Sequence, residues 1–442
     1  MKFSKYNIFV ETDNGIALYN SLNTNCVNIH KKEEVDKFMN LVKTGDINPS
    51  DQMVKELYKR KYIVDDDVDE YKQAQEDLEQ YYAQRDRVLN IMLYVTENCN
   101  FRCVYCFEEH LNKNFSTENW DALYKYIEKS LADNLYDCVS MSFFGGEPLL
   151  EKTAILDFLD RLEILRERHP NVIFSHHITT NGYLLTPALY DKLTERNVFR
   201  YMITVDGFAE AHNETRPLAG GQGTWDAIIA NLKYINTKKD AVCIIVRVNV
   251  NTVNAKDMKE FIDWVIKTFN QDKFVMNIDV AGDLSGYEVD KKYAKDYGDK
   301  DVQEILEKYV KTTQDMSLLS KYAFNCVRVG KGHFTISVDG QITKCEDAFT
   351  GRCPSVGYLS KEGEFIFNEN YKKWTEGFET EYCKDCVVYP LCGGRRCPDK
   401  KVNYPDERAD CLYIDKLINP DDGLEFMIKK ALKDRFSSNN NS

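Results

Sequence analysis

Three cysteines within eight residues are the feature of the sequence with the clearest chemistry. They lie in the segment Cys99-Asn-Phe-Arg-Cys103-Val-Tyr-Cys106, a C-x3-C-x2-C arrangement. Cysteine thiolates bind iron–sulfur clusters, so three of them on one short loop can hold three corners of a 4Fe–4S cube and leave the fourth iron open. Structural zinc is normally closed by four ligands that come from C-x2-4-C pairs. The odd number of thiols therefore favours a cluster with an open iron over zinc.

A second group of cysteines occupies the C-terminal part of the chain. Its members are Cys326, Cys345, Cys353, Cys383, Cys386, Cys392, Cys397 and Cys411. The chain has 14 cysteines and starts without the apolar run of a secretory signal, so metal ligation is favoured over disulfide bonds. Eight thiols suit two four-ligand sites, either iron–sulfur clusters or zinc, and a zinc ribbon at Cys383 and Cys386 is the specific alternative.

Composition limits the classes of partner. The chain has 442 residues, which is enough for two or three domains with buried cores. Its net charge is -13, and an acidic protein is a poor ligand for nucleic acid or anionic lipid. No stretch approaches the roughly 20 apolar residues that a membrane helix requires. We therefore expect a cytoplasmic protein with neither a nucleic-acid nor a membrane partner.

The elements that must position the first three cysteines lie in residues 88–280. Apolar, β-rich runs alternate there with longer amphipathic segments, which predicts βα units around a parallel sheet. The predicted strands are Val88–Val95, Val139–Phe144, Val172–Ile178, Arg200–Val205, Val242–Val248 and Phe274–Val280. Six units predict an α/β fold, a partial (β/α)6 TIM-like barrel, whose chemistry lies at the C-terminal ends of its strands.

Flanking domains are predicted on both sides of this barrel. The pattern of residues 1–64 is β-β-β-α-α-β, the order of a winged helix, and an acidic stretch follows it. The predicted division is a winged-helix-like domain at 1–64, a linker at 65–87, the barrel at 88–315, a Cys-rich domain at 316–416, and a C-terminal helix with a disordered tail at 417–442.

The loop from Cys99 to Cys106 resembles the signature of the radical S-adenosylmethionine (SAM) superfamily, in which an aromatic residue, here Tyr105, precedes the last cysteine. Further motifs of that superfamily follow in order at the ends of later strands. The segments that resemble them are Gly145-Gly146-Glu147-Pro148, Thr179-Thr180-Asn181-Gly182, Thr204-Val-Asp206-Gly207 and, twelve residues beyond Thr204, Arg216. The resemblance covers residues 88–416.

This resemblance implies SAM and a 4Fe–4S cluster at Cys99, Cys103 and Cys106. The cluster would bind SAM through its open iron, and reduction would yield methionine and a 5′-deoxyadenosyl radical that removes hydrogen from a C–H bond. The residues implied to contact SAM are Tyr105, Gly145, Gly146, Glu147, Asn181, Thr204 and Arg216. An arginine can hold the SAM carboxylate through two parallel hydrogen bonds, and a glutamate can accept from its ammonium.

The C-terminal cysteines resemble the SPASM extension of peptide-modifying radical SAM enzymes, which binds two auxiliary 4Fe–4S clusters. By resemblance the inner cluster uses Cys326, Cys345 and Cys397, and the outer one uses Cys383, Cys386, Cys392 and Cys411. Two spacings depart from the family: Cys392 to Cys397 is one residue longer than usual, and Cys411 follows Cys397 closely. Our hypothesis is that Cys353 closes the inner cluster; otherwise that cluster has an open iron for a substrate thiolate.

Glu346 directly follows Cys345, and Asp347 follows it. In related sulfatase-maturing enzymes an acidic residue at the matching position takes a proton from the substrate, so Glu346 is the candidate general base. The alternative is a solvated acidic pair on a loop.

The function implied by the resemblance is oxidative crosslinking of a ribosomally made precursor peptide. The domain at 1–64 would bind the leader of that peptide, unless it is a structural or dimer-forming appendage. A thioether is the favoured crosslink, with carbon–carbon and ether links as options, and the electron donor would be a flavodoxin or ferredoxin. The alternatives are formylglycine formation, as in anaerobic sulfatase maturases, and a non-enzymatic electron-transfer or zinc scaffold.

Overall fold

The fold is taken from a computed structural model. It describes residues 1–12, 15–281, 293–295, 300, 302, 304–305, 321, 326–345, 354–376 and 381–394. The chain divides into two compact units. The first comprises Met1–Gln84, Lys311–Val329 and Lys373–Ser442, and the second comprises Arg85–Val310 and Gly330–Lys372.

The first unit has the predicted β-β-β-α-α-β order, preceded by one additional two-residue strand. Its elements are β1 (Lys2–Phe3), β2 (Asn7–Thr12), β3 (Gly15–Asn20), β4 (Cys26–Ile29), α1 (Lys32–Thr44), α2 (Gln52–Lys59), β5 (Ile63–Val64) and α3 (Glu70–Arg85). Strands β2, β3 and β4 form an antiparallel sheet in that order, and β1 pairs with β5. Helix α2 begins where expected because the Asp51 side chain accepts hydrogen bonds from the amides of Met53 and Val54.

Helix α3 lies within residues 65–87, the segment predicted as a linker. It buries Ala74, Leu78 and Tyr82, which are spaced four residues apart on one face. These side chains pack with Tyr6 and Leu22 of the same unit. The segment is therefore a packed helix over Glu70–Arg85, and its many charged residues occupy the other face.

The second unit is built on a long sheet. Its described strands are β6 (Val88–Thr96), β7 (Cys138–Gly145), β8 (Ile173–Thr180), β9 (Val198–Thr204), β10 (Cys243–Val250), β11 (Phe274–Val280), β12 (His333–Ile336), β13 (Gln341–Thr343), β14 (Gly357–Leu359) and β15 (Phe365–Phe367). Strands β6 to β11 are parallel to their neighbours and lie in chain order. Each ends within two residues of its predicted position, so the predicted α/β barrel strands are confirmed.

Helices connect these strands as βα units require. They are α4 (Thr117–Ala132), α5 (Lys152–Arg168), α6 (Pro187–Thr194), α7 (Ala209–Thr215), α8 (Trp225–Asn236) and α9 (Met258–Thr268), and α10 (Glu369–Thr375) follows later. The short helix α7 was not predicted, because its seven residues carry no helical apolar stripe. No helix in the described ranges is both long and apolar enough to cross a membrane.

Residues 330–372, which the sequence analysis grouped with the Cys-rich domain, extend the barrel sheet. Strand β12 pairs in parallel with β6 through His333 and Asn90, and β13 to β15 add antiparallel strands beyond it. The buried Phe334 and Ile336 of β12 join the same sheet face as the core of β6. The sequence pattern did not reveal this pairing because it joins strands more than two hundred residues apart.

His176 in β8 makes the stability of the second unit depend on pH. Its side chain is fully buried, and neither ring nitrogen has a hydrogen-bond partner among the described residues. Burial lowers the pKa of this imidazole to about 3. The unfolded chain binds a proton near the usual pKa of about 6.5 and the folded chain does not, so stability is lost as pH falls below that value.

Replacement of His176 by Phe should remove this part of the pH dependence. Wild-type protein should lose up to about 1.4 kcal/mol per pH unit at this site below about pH 6.5, because only the unfolded state gains the proton. Apparent melting temperatures of the metal-free proteins at several pH values provide the measurement. Parallel pH profiles for wild type and His176→Phe would contradict the assignment.

Candidate active site

A cavity of about 450 Å³ opens at the C-terminal ends of the parallel strands. Nine residues that the sequence analysis selected line it, namely Cys99, Cys103, Cys106, Tyr105, Gly145, Gly146, Asn181, Thr204 and Arg216. They come from the loop after β6, the turns after β7 and β8, the end of β9 and the end of α7. Parallel strands end at one edge, which is why motifs far apart in sequence meet here.

The two glycines after β7 allow a close approach of backbone segments. A Cβ atom on Gly145 would lie 2.1 Å from the carbonyl oxygen of Thr96, and one on Gly146 would lie 2.4 Å from that of Asn98. Gly145 also has a φ of 129°, which side chains rarely allow. Glycine is therefore required where this turn packs against the start of the cysteine loop.

Glu147 lies behind these glycines and is fully buried. Its carboxylate accepts hydrogen bonds from Thr180 Oγ1 at 2.7 Å, the Asn181 amide at 2.7 Å and the Leu149 amide at 3.0 Å. Burial nevertheless raises the pKa of Glu147 to about 7. The side chain thus joins the turn after β7 to the turn after β8. A contact between Glu147 and a ligand stays a prediction.

Tyr105 links the cysteine loop to the end of β9. Its hydroxyl donates to Asp206 Oδ2 and accepts from Arg216 Nη1 at 2.7 Å and from Asn249 Nδ2 at 3.2 Å. The Asn249 amide also donates to Asp206 Oδ1 at 2.8 Å. One phenol therefore satisfies a buried carboxylate and a buried guanidinium at the same time.

His212 and Thr224 complete a closed set of hydrogen bonds around this centre. The Asp206 amide donates to His212 Nδ1 at 3.1 Å, so His212 Nε2 carries the proton and donates to Thr224 Oγ1 at 3.1 Å. Thr224 in turn donates to the Arg216 carbonyl at 2.8 Å. Burial keeps the pKa of His212 well below its usual value, so the ring stays neutral. The hydrogen bonds thus connect His212, in the middle of α7, with Arg216, which directly follows that helix.

Arg216 has capacity for a ligand. The side chain is only 6% exposed, Asp206 lies 4.0 Å from it, and its Nε has no partner among the described residues. A buried donor without an acceptor costs free energy. An anionic group in the cavity, such as a carboxylate, would satisfy it.

The sequence analysis missed two cavity residues on β10. Arg247 and Asn249 alternate with buried apolar residues and point to the cavity. Arg247 donates from Nε to Asn249 at 3.0 Å and from Nη2 to Asp279 at 2.6 Å. Polar residues at every second position of an otherwise apolar strand were the signal that could have identified them.

The three cysteines of the loop fit a cluster in their chemistry. Burial raises the pKa of Cys99 to about 11 and that of Cys106 to about 12, and it also raises the pKa of Cys103. The metal-free thiols are therefore protonated, and metal binding would release their protons. Three thiols and the Arg216 donor facing one cavity fit an iron–sulfur cluster with an adjacent carboxylate-bearing ligand.

The C-terminal cysteines are only partly described. In the first unit, Cys326, Cys383 and Cys386 pack against one apolar cluster, and Cys392 packs against a neighbouring one. Cys345 follows β13 in the second unit. The remaining predicted residues, Glu346, Cys353, Cys397 and Cys411, lie outside the described residues.

Comparison with known families agrees with this cavity. Residues 93–265 match the sequence model of the Radical SAM superfamily, and they contain the cysteine loop and all the strand-end motifs up to Arg216. The chain thus contains a Radical SAM domain. It is an enzyme, and this domain implies SAM and one 4Fe–4S cluster. The resemblance stated from the motifs is confirmed, which favours the enzyme over a non-enzymatic scaffold.

Three relatives extend beyond the barrel. A cysteine-type anaerobic sulfatase-maturating enzyme from Clostridium novyi is 25% identical over 350 residues, which is 72% of this chain and 90% of the relative. The radical SAM cyclopropyl synthase TigE from Paramaledivibacter caminithermalis is 22% identical and covers 93% of this chain and 92% of its own length. The structure of Streptococcus suis SuiB bound to its precursor peptide SuiA has a TM-score of 0.52 and 15% identity, with 92% of this chain and 97% of SuiB covered.

Substitution of Tyr105 by Phe tests the hydrogen-bonded centre. Removal of the hydroxyl leaves Asp206 and Arg216 without a shared partner, so SAM affinity should fall about tenfold or more, in line with hydrogen bonds to charged groups. The cluster at the three cysteines should still assemble, as measured by iron content, while SAM titration monitored by the cluster's EPR spectrum gives the affinity.

The matched control is Tyr126→Phe, which removes a buried hydroxyl that bonds to Tyr136 outside the cavity. Unchanged SAM affinity in Tyr105→Phe with full iron content would refute the role of the phenol.

Proposed function

We propose that this chain is a peptide maturase that binds the leader of a precursor peptide and installs an oxidative crosslink, preferably a thioether, in its core. The observation that carries the proposal is that a chain with a radical SAM cavity in its second unit has an open-edged β-sheet in its first unit. Small-molecule radical SAM chemistry has no need for such a sheet, whereas a flexible peptide gains effective concentration at the cavity from a second binding site.

The sheet has backbone groups available at both outer edges. Asn20 donates to Asn25 at 2.9 Å and Ser21 donates to Tyr6 at 3.0 Å, which sets the alternation of hydrogen bonds along β3. It follows that Asn28 on β4 and Glu11 on β2 direct their backbone groups away from β3. Neither edge has a strand partner in the described part of the chain. An extended peptide can pair with such an edge and gain specificity from side-chain pockets.

One solved structure supports a peptide substrate. SuiB has been seen with its precursor peptide SuiA, and its fold covers 92% of this chain. The sulfatase-maturating relative leaves more than a quarter of this chain unmatched. The match to peptide-bound SuiB over nearly the whole length of this chain therefore supports modification of a precursor peptide.

In this proposal the cavity residues bind and orient the cofactor. Cys99, Cys103 and Cys106 hold the cluster, and the unpartnered donor of Arg216 takes the SAM carboxylate. When bound, the cluster and SAM supply a 5′-deoxyadenosyl radical. Tyr105 and Asp206 keep Arg216 in place. Gly145, Gly146, Asn181 and Thr204 line the cavity and contact SAM.

The proposal includes two auxiliary clusters, which would supply acceptors for the second electron of the oxidation. Cys326, Cys345, Cys353 and Cys397 would hold the inner cluster, and Cys383, Cys386, Cys392 and Cys411 would hold the outer one. Glu346 beside Cys345 removes the substrate proton. A flavodoxin or ferredoxin in the cytoplasm supplies the reducing electron.

Formylglycine formation is the second candidate. The similarity to sulfatase-maturating enzymes over 350 residues favours it. The two candidates differ in whether turnover depends on the sheet of the first unit, since only the modification of a precursor peptide is proposed to depend on a leader.

Iron content tests the cofactor assignment. Anaerobically reconstituted wild-type protein should hold about twelve irons per chain and form 5′-deoxyadenosine from SAM, because three 4Fe–4S clusters are expected. The triple variant Cys99→Ala/Cys103→Ala/Cys106→Ala should retain about eight irons and form no 5′-deoxyadenosine. Retention of only about four irons by wild type, or bound zinc, would refute the auxiliary clusters.

Proline substitutions at the two sheet edges test leader binding. Asn28→Pro and Glu11→Pro each remove an outward amide that a docked strand would use, so one of them should weaken leader-peptide binding at least tenfold. Fluorescence anisotropy with the labelled leader encoded beside this gene provides the measurement. If only one of the two proline variants loses leader-peptide binding, the other serves as its matched control.

Point variants are needed because deletion of residues 1–64 would expose the buried Tyr389 and Leu391, which pack on that module. Undiminished binding in both proline variants, with normal folding by circular dichroism, would contradict leader recognition at the sheet.

A further inference from the structure

The first unit has a core that two distant parts of the chain share. Val10, Ala17 and Tyr19 of the sheet pack with the buried Val388 and Leu391 around α11 (Tyr389–Cys392). Cys386 and Cys392 lie against the same group of side chains. The segment that carries the predicted outer-cluster ligands is thus part of the core of the N-terminal module.

Polar contacts hold this segment in a defined position. Ser21 Oγ donates to the Val387 carbonyl at 2.5 Å, and Lys5 Nζ donates to the Lys384 carbonyl at 2.8 Å. The rings of Tyr71 and Tyr389 lie 5.0 Å apart. Backbone carbonyls between the cysteines are therefore fixed by side chains of the N-terminal module.

The backbone around the cysteines favours a common site. A single 3-10 turn spans Glu381–Asp385, and the Cys386 amide donates to the Cys383 carbonyl at 3.3 Å. Cys392 ends the short helix α11, whose following residue, Gly393, has a φ of 60°. Cys383 and Cys386 pack in one apolar cluster, and Cys386 and Cys392 pack against its neighbour. Three thiols from two successive turns fit an iron–sulfur cluster in donor type and number, with Cys411 as the fourth ligand by resemblance.

Tyr6 is the residue that this core leaves unsatisfied. It lies just before β2, is 0% exposed, and packs in one apolar cluster with Cys383, with Cys386 against it. Its hydroxyl has no hydrogen-bond partner among the described residues. Such a buried hydroxyl is costly unless something accepts its proton.

Tyr6 is a hydrogen-bond donor. A phenol has a usual pKa of about 10, so its hydroxyl keeps the proton near neutral pH. The phenol is therefore protonated, and the acceptor it lacks must be an atom with lone pairs. A sulfur of a bound iron–sulfur cluster, or of a thiolate that ligates it, is such an atom.

We propose that Tyr6 donates a hydrogen bond to a sulfur of the outer auxiliary cluster, so that the peptide-binding module forms part of the surroundings of that cluster. The inference rests on the auxiliary clusters of the proposed function. A donor stabilises the reduced cluster, which carries one more negative charge, and therefore raises its reduction potential. Tyr6 thus makes the outer cluster a better electron acceptor.

The test is a redox titration of Tyr6→Phe, which removes the hydroxyl and keeps the ring that packs in the core. Both this variant and its parent carry Cys99→Ala/Cys103→Ala/Cys106→Ala, so that only the auxiliary clusters titrate by EPR. We expect Tyr6→Phe to lower the one-electron reduction equilibrium constant of one cluster about tenfold, about 59 mV. Iron content should stay at about eight per chain.

Tyr62→Phe is the matched control. Tyr62 is also 0% exposed in the N-terminal module, but its hydroxyl donates to the Leu18 carbonyl at 3.3 Å and it packs in a different cluster. It should leave every potential unchanged.

Three outcomes would overturn the inference, and they differ in what else they affect. Equal potentials in Tyr6→Phe and its parent, with about eight irons in each, would remove the hydrogen bond and leave the auxiliary clusters intact. An equal shift of the reduction potential in Tyr62→Phe would show that the effect comes from a general loosening of the module. A parent without auxiliary iron would refute the auxiliary clusters as well.

Discussion

The buried carboxylate of Asp206 needs hydrogen-bond donors and a positive charge nearby. The arrangement of the cavity follows from how the chain supplies these groups. An uncompensated charge in a protein interior is costly, and here a phenol from the cysteine loop, an amide from β10 and a guanidinium from the end of α7 meet around one side chain. These contacts with Asp206 bring four separate segments of the chain together. The cysteine loop is positioned because Tyr105 is one of the compensating groups, two residues after Cys103 and one before Cys106, whose thiols line the cavity.

Glu147 performs a similar task on the other side of the cavity. Its carboxylate is used entirely by protein donors, and the backbone glycines before it face the ligand space. The buried carboxyl groups of Asp206 and Glu147 thus hold the strand ends together. The three thiols and the Arg216 donor stay available to a ligand. The segment Gly145-Gly146-Glu147 therefore has two roles. Its carboxylate fixes the shape of the site, and its glycines leave space for the ligand.

In the first unit, the N-terminal module has one core of its own between its sheet and helices α1 and α2, and it shares a second core with a distant segment. Its sheet and helix α3 bury side chains against a segment near residue 390, next to cysteines with predicted metal ligation. Binding of metal there would limit the motion of residues that pack against the N-terminal module. Folding of the module and loading of the proposed outer cluster would thus be linked through this shared core, which adds buried area to that of the module's own core.

Local patterns in the sequence determined the chemistry and the barrel strands. Cysteine spacing, glycine turns and alternating apolar runs depend on neighbours within about ten residues, and they identified the superfamily, the cavity residues and the six parallel strands. Only the tertiary structure decided what joins distant segments: the pairing of β12 with β6, the packing of α3, the roles of Asn249 and Arg247, and the position of Tyr6 beside Cys386. These depend on which surfaces meet after the chain folds, because burial and hydrogen bonding between residues hundreds of positions apart leave no periodic trace in the sequence.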